Sequence, residues 1–236
     1  MIRAHEMNMQ VLISLILALS FLNACGRPLT ESERIFAQDI HGSSIDLNRV
    51  SVAPSILVGM IKFRRPVRPR ITCKERIFPP TEAEFIEGSP AAAVYFNSIL
   101  FRMDWYRENY LPNYPDSYSL PVAMLLAHEL THVWQWQNRD LTGYHPLKAL
   151  SEHAILDDPY LFDNSINKQF LDYGFEQQGA IVEEYICCRS IAPAGSRTQR
   201  LHAMLSKVFP VSMIPDQSQR DISLPLDKAE LTGVCD

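Results

Sequence analysis

His128-Glu129-Leu130-Thr131-His132, inside the apolar stretch at residues 126–134, is the part of the sequence that decides the fold. This stretch predicts one continuous helix. Two histidines four residues apart share a helical face, so both imidazoles can bind the same zinc ion. Glu129 is poorly placed as a ligand but close enough to accept a proton from a zinc-activated water. The HExxH pattern therefore predicts the active helix of a zinc metallopeptidase.

The apolar context distinguishes this pattern from a chance match. Apart from His128 and Glu129, residues 117–129 contain no ionisable side chain other than tyrosine. The alternative interpretation is a surface helix on which these groups are ordinary polar residues. Apolar neighbours on every side argue against it, because a solvated helix carries polar residues around much of its circumference.

The composition indicates one globular domain. The chain has 236 residues and is 47% hydrophobic, which is enough for one well-buried domain and too little for two large ones. A formal net charge of −5 gives no basic field, so no nucleic-acid partner is expected. Residues 64–70 (RRPVRPR) are locally basic, and we interpret them as a solvated loop, with a contact surface as the alternative.

Residues 1–24 have the features of a lipoprotein signal peptide. Residues 11–22 (VLISLILALSFL) form an apolar run of signal-peptide length, too short to span a bilayer permanently. Leu22-Asn23-Ala24-Cys25 then resembles a bacterial lipobox, so we expect residues 25–236 to be held at the membrane through lipid on Cys25. By resemblance to enterobacterial lipoproteins, Gly26 favours the periplasmic face of the outer membrane. Simple secretion is the alternative.

Four cysteines remain for disulfides in an exported domain: Cys73, Cys187, Cys188 and Cys235. Export exposes them to an oxidising compartment, where two disulfides are expected. Cys187 and Cys188 are adjacent, and a ring between neighbours is strained, so each should bond one of the distant cysteines. The order of pairing stays open. A zinc site built from these thiols is the alternative, although CxxC spacing is missing.

A catalytic zinc ion needs a third protein ligand, and Glu176 is the best candidate. It lies at the start of residues 175–189, which show helical periodicity. Gly179 and Ala180 follow on the same face, where small residues let two helices approach closely. Glu183, two turns from Glu176, is either a ligand or an acceptor for an imidazole N–H.

The third ligand has rivals. Glu176 can instead be a solvated carboxylate at a helix start, where the helix dipole favours it. His145 and His153 can each serve as the third ligand in its place.

Further helices are predicted on both sides of these two. Residues 28–39 predict a short helix with Thr30 as N-cap and Glu33 completing a capping box. The motif helix should begin after Ser119 and end near residue 138. Residues 199–208 predict a last helix.

Strands are predicted at residues 55–63 and 91–101, which are rich in apolar, aromatic and β-branched residues. The second of these precedes the motif helix, and we expect it to form a sheet edge beside the cleft, where an extended peptide can add. Residues 141–167 stay unassigned. The fold class expected from these elements is α+β.

Four segments of the chain resemble a family of bacterial HExxH proteins. They are Leu29-Thr30-Glu31 with Glu33, residues 45–50 (IDLNRV), residues 127–135 (AHELTHVWQ) and residues 175–182 (FEQQGAIV). The family is similar to Vgr-related proteins and to the metallopeptidase domain of extracellular contractile injection system proteins. Gly179 stands where the EQQA pattern has alanine, which keeps this residue small.

The resemblance implies a minimal, gluzincin-like zincin fold with a small sheet, the HExxH helix and a second ligand-bearing helix. It implies His128, His132 and Glu176 as ligands of Zn²⁺ and Glu129 as general base. The expected reaction is hydrolysis of a peptide bond in a peptide or protein substrate, and the resemblance does not identify that substrate.

The reaction also requires a group that stabilises the oxyanion, for which Tyr173, Tyr185 and His145 are the candidates. The alternative function is a zinc-binding envelope lipoprotein that acts in secretion or envelope assembly without catalysis. Glu129 favours the enzyme, because a structural site needs the histidines but no general base.

Overall fold

The helix that carries the HExxH motif runs over Leu120–Gln137 and is buried along nearly its whole length. The computed structural model describes residues 26–163, 168–214, 220–226 and 228–236. Apolar residues surround the motif helix on all faces, which is the pattern of a helix enclosed by its own domain. The predicted signal peptide and Cys25 lie outside the described residues.

The described chain alternates short strands with helices of very different length. In chain order, the helices are α1 (Glu31–His41), α2 (Ile56–Met60), α3 (Cys73–Ile77), α4 (Leu120–Gln137), α5 (Arg139–Thr142), α6 (Pro146–Ile155), α7 (Phe175–Ile191) and α8 (Ser196–Leu205). The strands are β1 (Arg27–Pro28), β2 (Ser51–Ser55), β3 (Phe63–Pro66), β4 (Phe85–Gly88), β5 (Ala92–Tyr95), β6 (Ser98–Arg102), β7 (Ser117–Ser119) and β8 (Asp221–Ser223). Single 3₁₀ turns lie at Gly42–Ser44, Leu47–Arg49 and Phe170–Asp172. These elements confirm the α+β class.

The largest sheet has four strands in the order β1-β2-β6-β5. Strands β2 and β6 are parallel, with Val52 opposite Ile99, and the other two pairings are antiparallel. Strand β5 forms one edge of this sheet, as expected for the segment before the motif helix. The remaining strands form two-stranded pairs: β3 with β4 antiparallel, and β7 with β8 parallel.

The strand predicted at residues 55–63 is wrong. Its apolar run forms helix α2, and the strand lies just before it, in β2, which contains Pro54. Only Val58 of this helix is buried, whereas Ile56, Leu57 and Met60 are exposed. Apolar character alone predicts a strand here, but Leu57 and Ile61 line a cleft, and Ile56 and Met60 are exposed without lining it.

The strand predicted at residues 91–101 is a hairpin of β5 and β6. Tyr95 pairs with Ser98, so Phe96 and Asn97 form a two-residue turn. Phe96 has a φ of 57°, a conformation that phenylalanine rarely adopts. Its ring lies 4.3 Å from that of Trp136 on the motif helix, and this packing stabilises a turn that the sequence does not signal.

The predicted helices are confirmed, with small changes in their bounds. Thr30 and Glu33 form the expected capping box at the start of α1, and α7 covers the predicted periodic segment. The last predicted helix begins three residues earlier, as α8. Residues 141–167 contain α6, which begins at Pro146 with His145 as its N-cap.

Two disulfides fasten the C-terminal half of α7 to other parts of the chain. Cys73 bonds Cys187, and Cys188 bonds Cys235, over 114 and 47 residues of sequence. This confirms the expected disulfides and decides their order. Because all four sulfurs are bonded, they are not thiolate ligands for zinc. Within the described residues, no helix is both long and apolar enough to cross a bilayer.

Candidate active site

Three side chains from two helices converge on one point. His128 and His132 project from α4, and their Nε2 atoms lie 3.0 Å apart. Oε2 of Glu176, from the first turn of α7, lies 3.2 Å from Nε2 of His128 and 3.4 Å from Nε2 of His132. A tetrahedral zinc ion with bonds of about 2.0–2.1 Å separates its ligands by about 3.3 Å. The three donor atoms therefore have the spacing that such an ion needs.

The electrostatics at this point favour a positive charge. Burial alone would lower the pKa of His132, but the carboxylates of Glu176 and Glu129 raise it to about 9. Burial would raise the pKa of Glu176, and the three histidines around it more than reverse that effect and hold the pKa well below its usual range. A buried carboxylate that faces two imidazoles thus provides a charge that a bound cation would neutralise.

Gln135 fixes the orientation of the His132 ring. Its side-chain nitrogen donates to the carbonyl of Phe175 and to Oε1 of Gln178, so its own Oε1 is left to accept a hydrogen bond. That oxygen lies 2.8 Å from Nδ1 of His132, which must therefore carry a proton. In the neutral ring, the Nε2 lone pair then points at His128 and Glu176, as a metal ligand requires.

The start of α7 is held by a carboxylate from α6. Oxygens of Glu152 accept hydrogen bonds from the backbone N–H groups of Phe175 and Glu176, at 2.8 and 3.0 Å. A negative charge is favourable at this end of a helix. His153, the next residue of α6, contacts Oε1 of Glu176 through Nε2 at 3.0 Å. Helix α6 therefore holds the backbone of Glu176 through Glu152 and contacts its carboxylate through His153.

Glu129 is the group best placed for proton transfer. It is buried, and burial raises its pKa above the usual range for a carboxyl group. Its Oε2 atom has no hydrogen-bond partner among the described residues, although it is also buried. A buried carboxylate oxygen without a partner is costly in a core, and at an active site it is available to a substrate or a water molecule.

Glu183 lies beside the site without joining it. Its Oε1 is 3.8 Å from Nδ1 of His128, which is too long for a hydrogen bond, and its Oε2 accepts from Lys74 at 2.6 Å. Glu184 points away and bonds Arg197 and the backbone N–H of Cys73. Of the two carboxylates, Glu183 is the one within ion-pair distance of an imidazole, at 3.8 Å from His128.

A cleft of about 1010 Å³ opens onto these residues. One wall consists of strand β5, helix α2 and strand β3, and the other consists of α6 and residues 155–160. His128, Glu129, His132 and Glu176 all line it. The site is therefore accessible from a groove that is large enough for a segment of peptide.

The prediction of Tyr173, Tyr185 and His145 as oxyanion stabilisers is wrong, because all three lie outside the cleft. The hydroxyl of Tyr173 donates to the carbonyl of Asp163, and that of Tyr185 bonds His202. His145 is exposed and caps α6 through Nδ1, and none of the three lines the cleft. Local sequence does not show this, because the face of a helix and the path of a loop decide where each side chain points.

Tyr144, Tyr160 and His153 line the cleft in their place. The Tyr160 ring lies 5.7 Å from that of His128 and 5.5 Å from that of His153. Burial raises the pKa of both tyrosines, so both hydroxyls stay protonated and can donate. These three residues lie in residues 141–167, which the sequence leaves unassigned. Of the three, only His153 is a candidate from the sequence, as a rival third ligand.

Comparison with known proteins gives one relative by sequence and one by structure. No family model matches the chain. It is 28% identical over 189 residues to the type VI secretion system spike protein VgrG2b of Pseudomonas aeruginosa. The alignment covers 78% of this chain and only 15% of that protein.

The structural match is to the effector domain of the same Pseudomonas aeruginosa protein. Its TM-score is 0.50 at 23% identity, and the match covers 79% of this chain and 86% of that domain. At this identity the match concerns the fold alone. The two findings support the part of the resemblance that concerns Vgr-related proteins: the chain is similar in sequence to VgrG2b and in fold to its effector domain.

Proposed function

We propose that this chain is a zinc-dependent metallopeptidase of the bacterial envelope that hydrolyses peptide bonds. The observation that supports it is the convergence of His128, His132 and Glu176 within 3.4 Å of one another, with Glu129 beside them in one cleft. The gluzincin-like ligand set is part of this proposal. We also propose that this α+β fold is a zincin-like fold.

The donor set suits zinc. Two imidazole nitrogens and one carboxylate oxygen are the ligands of many catalytic zinc ions, and they leave one position open. His128 and His132 would hold the ion from α4, and Glu176 from α7. Zinc bound by such donors acts as a Lewis acid in the hydrolysis of amide bonds.

Glu129 is proposed to move the proton. Its free oxygen accepts a proton from the attacking water and later delivers it to the nitrogen of the leaving amine. The raised pKa of this buried carboxyl brings it closer to neutral pH, where a group can both accept and release a proton.

The cleft also contains donors for the developing oxyanion. Tyr160 and Tyr144 line the same cleft as Glu129, and burial keeps both hydroxyls protonated. We assign the stabilising role to Tyr160, because its ring contacts those of His128 and His153. His153 is a positioning residue, since it contacts Glu176 directly.

Strand β5 is proposed to bind the substrate backbone. It is the edge strand of the sheet and four of its residues line the cleft. An extended peptide can pair with the free edge of a strand through main-chain hydrogen bonds, independently of its side chains.

The envelope location rests on three observations. The chain begins with the features of a lipoprotein signal peptide, it contains two disulfides, and it is similar to an effector domain of a secretion-system protein. A protein with these features acts outside the reducing cytoplasm. Exported proteins and peptide components of the cell wall are therefore the substrates to test.

The test is metal content followed by a peptidase assay. Elemental mass spectrometry should find one zinc per chain in the wild type and loss of zinc in His132→Ala and Glu176→Gln. His145→Asn is the matched control, because this exposed histidine lies outside the site and asparagine keeps its capping function. Peptide hydrolysis that disappears in Glu129→Gln, while zinc stays bound, would support the enzyme.

Two other results are informative. A wild type that binds no zinc would contradict the proposal. Zinc binding without hydrolysis of any peptide would favour the alternative, a zinc-binding envelope lipoprotein that does not cleave.

A further inference from the structure

Two neighbouring arginines on strand β3 differ in what they bind. Arg64 forms an ion pair with Glu87 at 3.2 Å and lies 3.9 Å from the centre of the Phe85 ring. Arg65 makes one hydrogen bond, a long one of 3.3 Å to the carbonyl of the next residue, Pro66. Within the described part of the chain, no carboxylate lies within ion-pair distance of Arg65.

The carboxylates nearest to Arg65 are already engaged by Arg68. The Arg68 guanidinium binds both carboxylate oxygens of Asp158 and lies 3.4 Å from Oε1 of Glu75. Asp157 also lines the cleft but is exposed and forms no ion pair with Arg65. Burial and the nearby positive charge of Arg68 lower the pKa of Arg65, which shows that its charge is poorly compensated.

Arg65 lies on the wall of the candidate active site. It lines the same cleft as His128, Glu129 and Glu176. Four of its five N–H donors have no partner among the described residues, and they form a planar fork that matches a carboxylate. The other cleft cation without a carboxylate, Lys62, donates to the carbonyl of Gly59 and the hydroxyl of Ser89.

The rest of the cleft is apolar near its rim. Leu57 and Ile61 on one wall, and Leu147 and Leu150 on the other, are each between 45% and 69% exposed. A peptide in the cleft would cover these side chains and exclude water from the neighbourhood of Arg65. Charge-assisted hydrogen bonds strengthen when water is excluded.

We propose that Arg65 is a specificity-determining residue that binds a carboxylate of a peptide whose neighbouring side chains are apolar. This inference rests on the proposed function, since it assigns the substrate class of that same cleft. The carboxylate can belong to an Asp or Glu side chain or to the C-terminus of the peptide. The chemistry at Arg65 is the same for both.

Peptide binding to the zinc-loaded chain, with Glu129→Gln to prevent cleavage, tests this. The probes are three fluorescent peptides of alanine and leucine: one amidated with a central Glu, one amidated with a central Gln, and the Gln peptide with a free C-terminus. Fluorescence anisotropy should show that at least one carboxylate peptide binds about tenfold more tightly than the neutral one. The tighter of the two identifies the source of the carboxylate.

Substitutions at the two arginines complete the test. Arg65→Gln should remove the preference, and Arg65→Lys should retain only part of it, because lysine cannot form the bidentate contact. Arg64→Gln is the matched control and should keep the full preference. Arg65→Glu should instead favour a fourth probe, an amidated peptide with a central Lys, which is a gain that a merely misfolded variant cannot show.

The outcomes separate this inference from the proposed function. Equal binding of all three peptides by the zinc-loaded chain would overturn the role of Arg65 and leave the peptidase proposal intact. A preference for a carboxylate peptide that persists in Arg65→Gln would also overturn the role of Arg65 and leave the peptidase proposal intact. Failure of the zinc-loaded chain to bind any of the peptides would count against both.

Discussion

A Cβ atom on Gly179 would lie 2.6 Å from Cε1 of His128, closer than real side chains approach. Helix α7 therefore lies this close to α4 in this chain because residue 179 has no side chain, and the alanine of the EQQA pattern would require the His128 ring or one of the helices to shift. The approach is what lets Glu176, one turn earlier on α7, reach the imidazoles of the HExxH motif.

We expect Gly179→Ala to displace the His128 ring from Glu176. Zinc affinity should fall by at least about tenfold, as for changes in residues that orient a ligand. Stability should fall by about 1–3 kcal/mol from overpacking. Competition with a chromogenic chelator and urea denaturation measure these effects. Gly88→Ala is the control, since its Cβ would meet Phe63 at an ordinary 3.4 Å. Unchanged zinc affinity in Gly179→Ala would show that the helices can separate without cost to the site.

Gln135 connects the orientation of His132 to the start of α7. Gln135→Leu removes the acceptor for Nδ1–H of His132 and the donor to the Phe175 carbonyl. Zinc affinity should fall by about 10- to 100-fold, with the fold retained. Gln137→Leu on the same helix is the control, because that side chain bonds Asp46 and Asn97 outside the site. Equal zinc affinity in the two variants would contradict the positioning role of Gln135.

The parts of the site that sequence could predict are those encoded by local spacing. His128 and His132 share a face because they are one turn apart, and the Thr30–Glu33 capping box is likewise a local pattern. Glu176 could be selected because Gly179, close to it on the same helix, signals a close approach to another helix.

The remaining parts depend on contacts between distant segments. Tyr160 reaches the cleft on a loop that is tied by Asp158 to Arg68, 90 residues away in sequence. Nothing in the local sequence signals that ion pair. The free guanidinium of Arg65 is equally hidden, because the arginine-rich stretch does not show which of its members will find a carboxylate. The residues proposed to stabilise the oxyanion and to select the substrate are therefore the hardest to predict from the sequence.

His41 provides a prediction on pH. Its side chain is fully buried, neither ring nitrogen has a partner among the described residues, and it packs between the rings of Trp134 and Phe209. Burial lowers its pKa to about 3. The unfolded chain binds a proton at this residue below about pH 6.5, whereas the folded chain stays neutral there until about pH 3. His41 therefore reduces the free energy of unfolding as pH falls between these values, by about 1.4 kcal/mol per pH unit.

His41→Leu replaces the imidazole with an apolar side chain of similar size and therefore removes this titration. Urea denaturation at pH 7 and pH 5 should show that the wild type loses about 2 kcal/mol more than the variant over this interval. Comparing the wild type with His41→Leu cancels the contributions of all other titrating groups, including His132, to the free energy of unfolding. His145→Asn, a substitution at an exposed position outside the core, is the control and should follow the wild type. An equal loss of the free energy of unfolding in the wild type and in His41→Leu between pH 7 and pH 5 would contradict this. The folded protein would then protonate His41, and its ring would need access to water or to a hydrogen-bond acceptor.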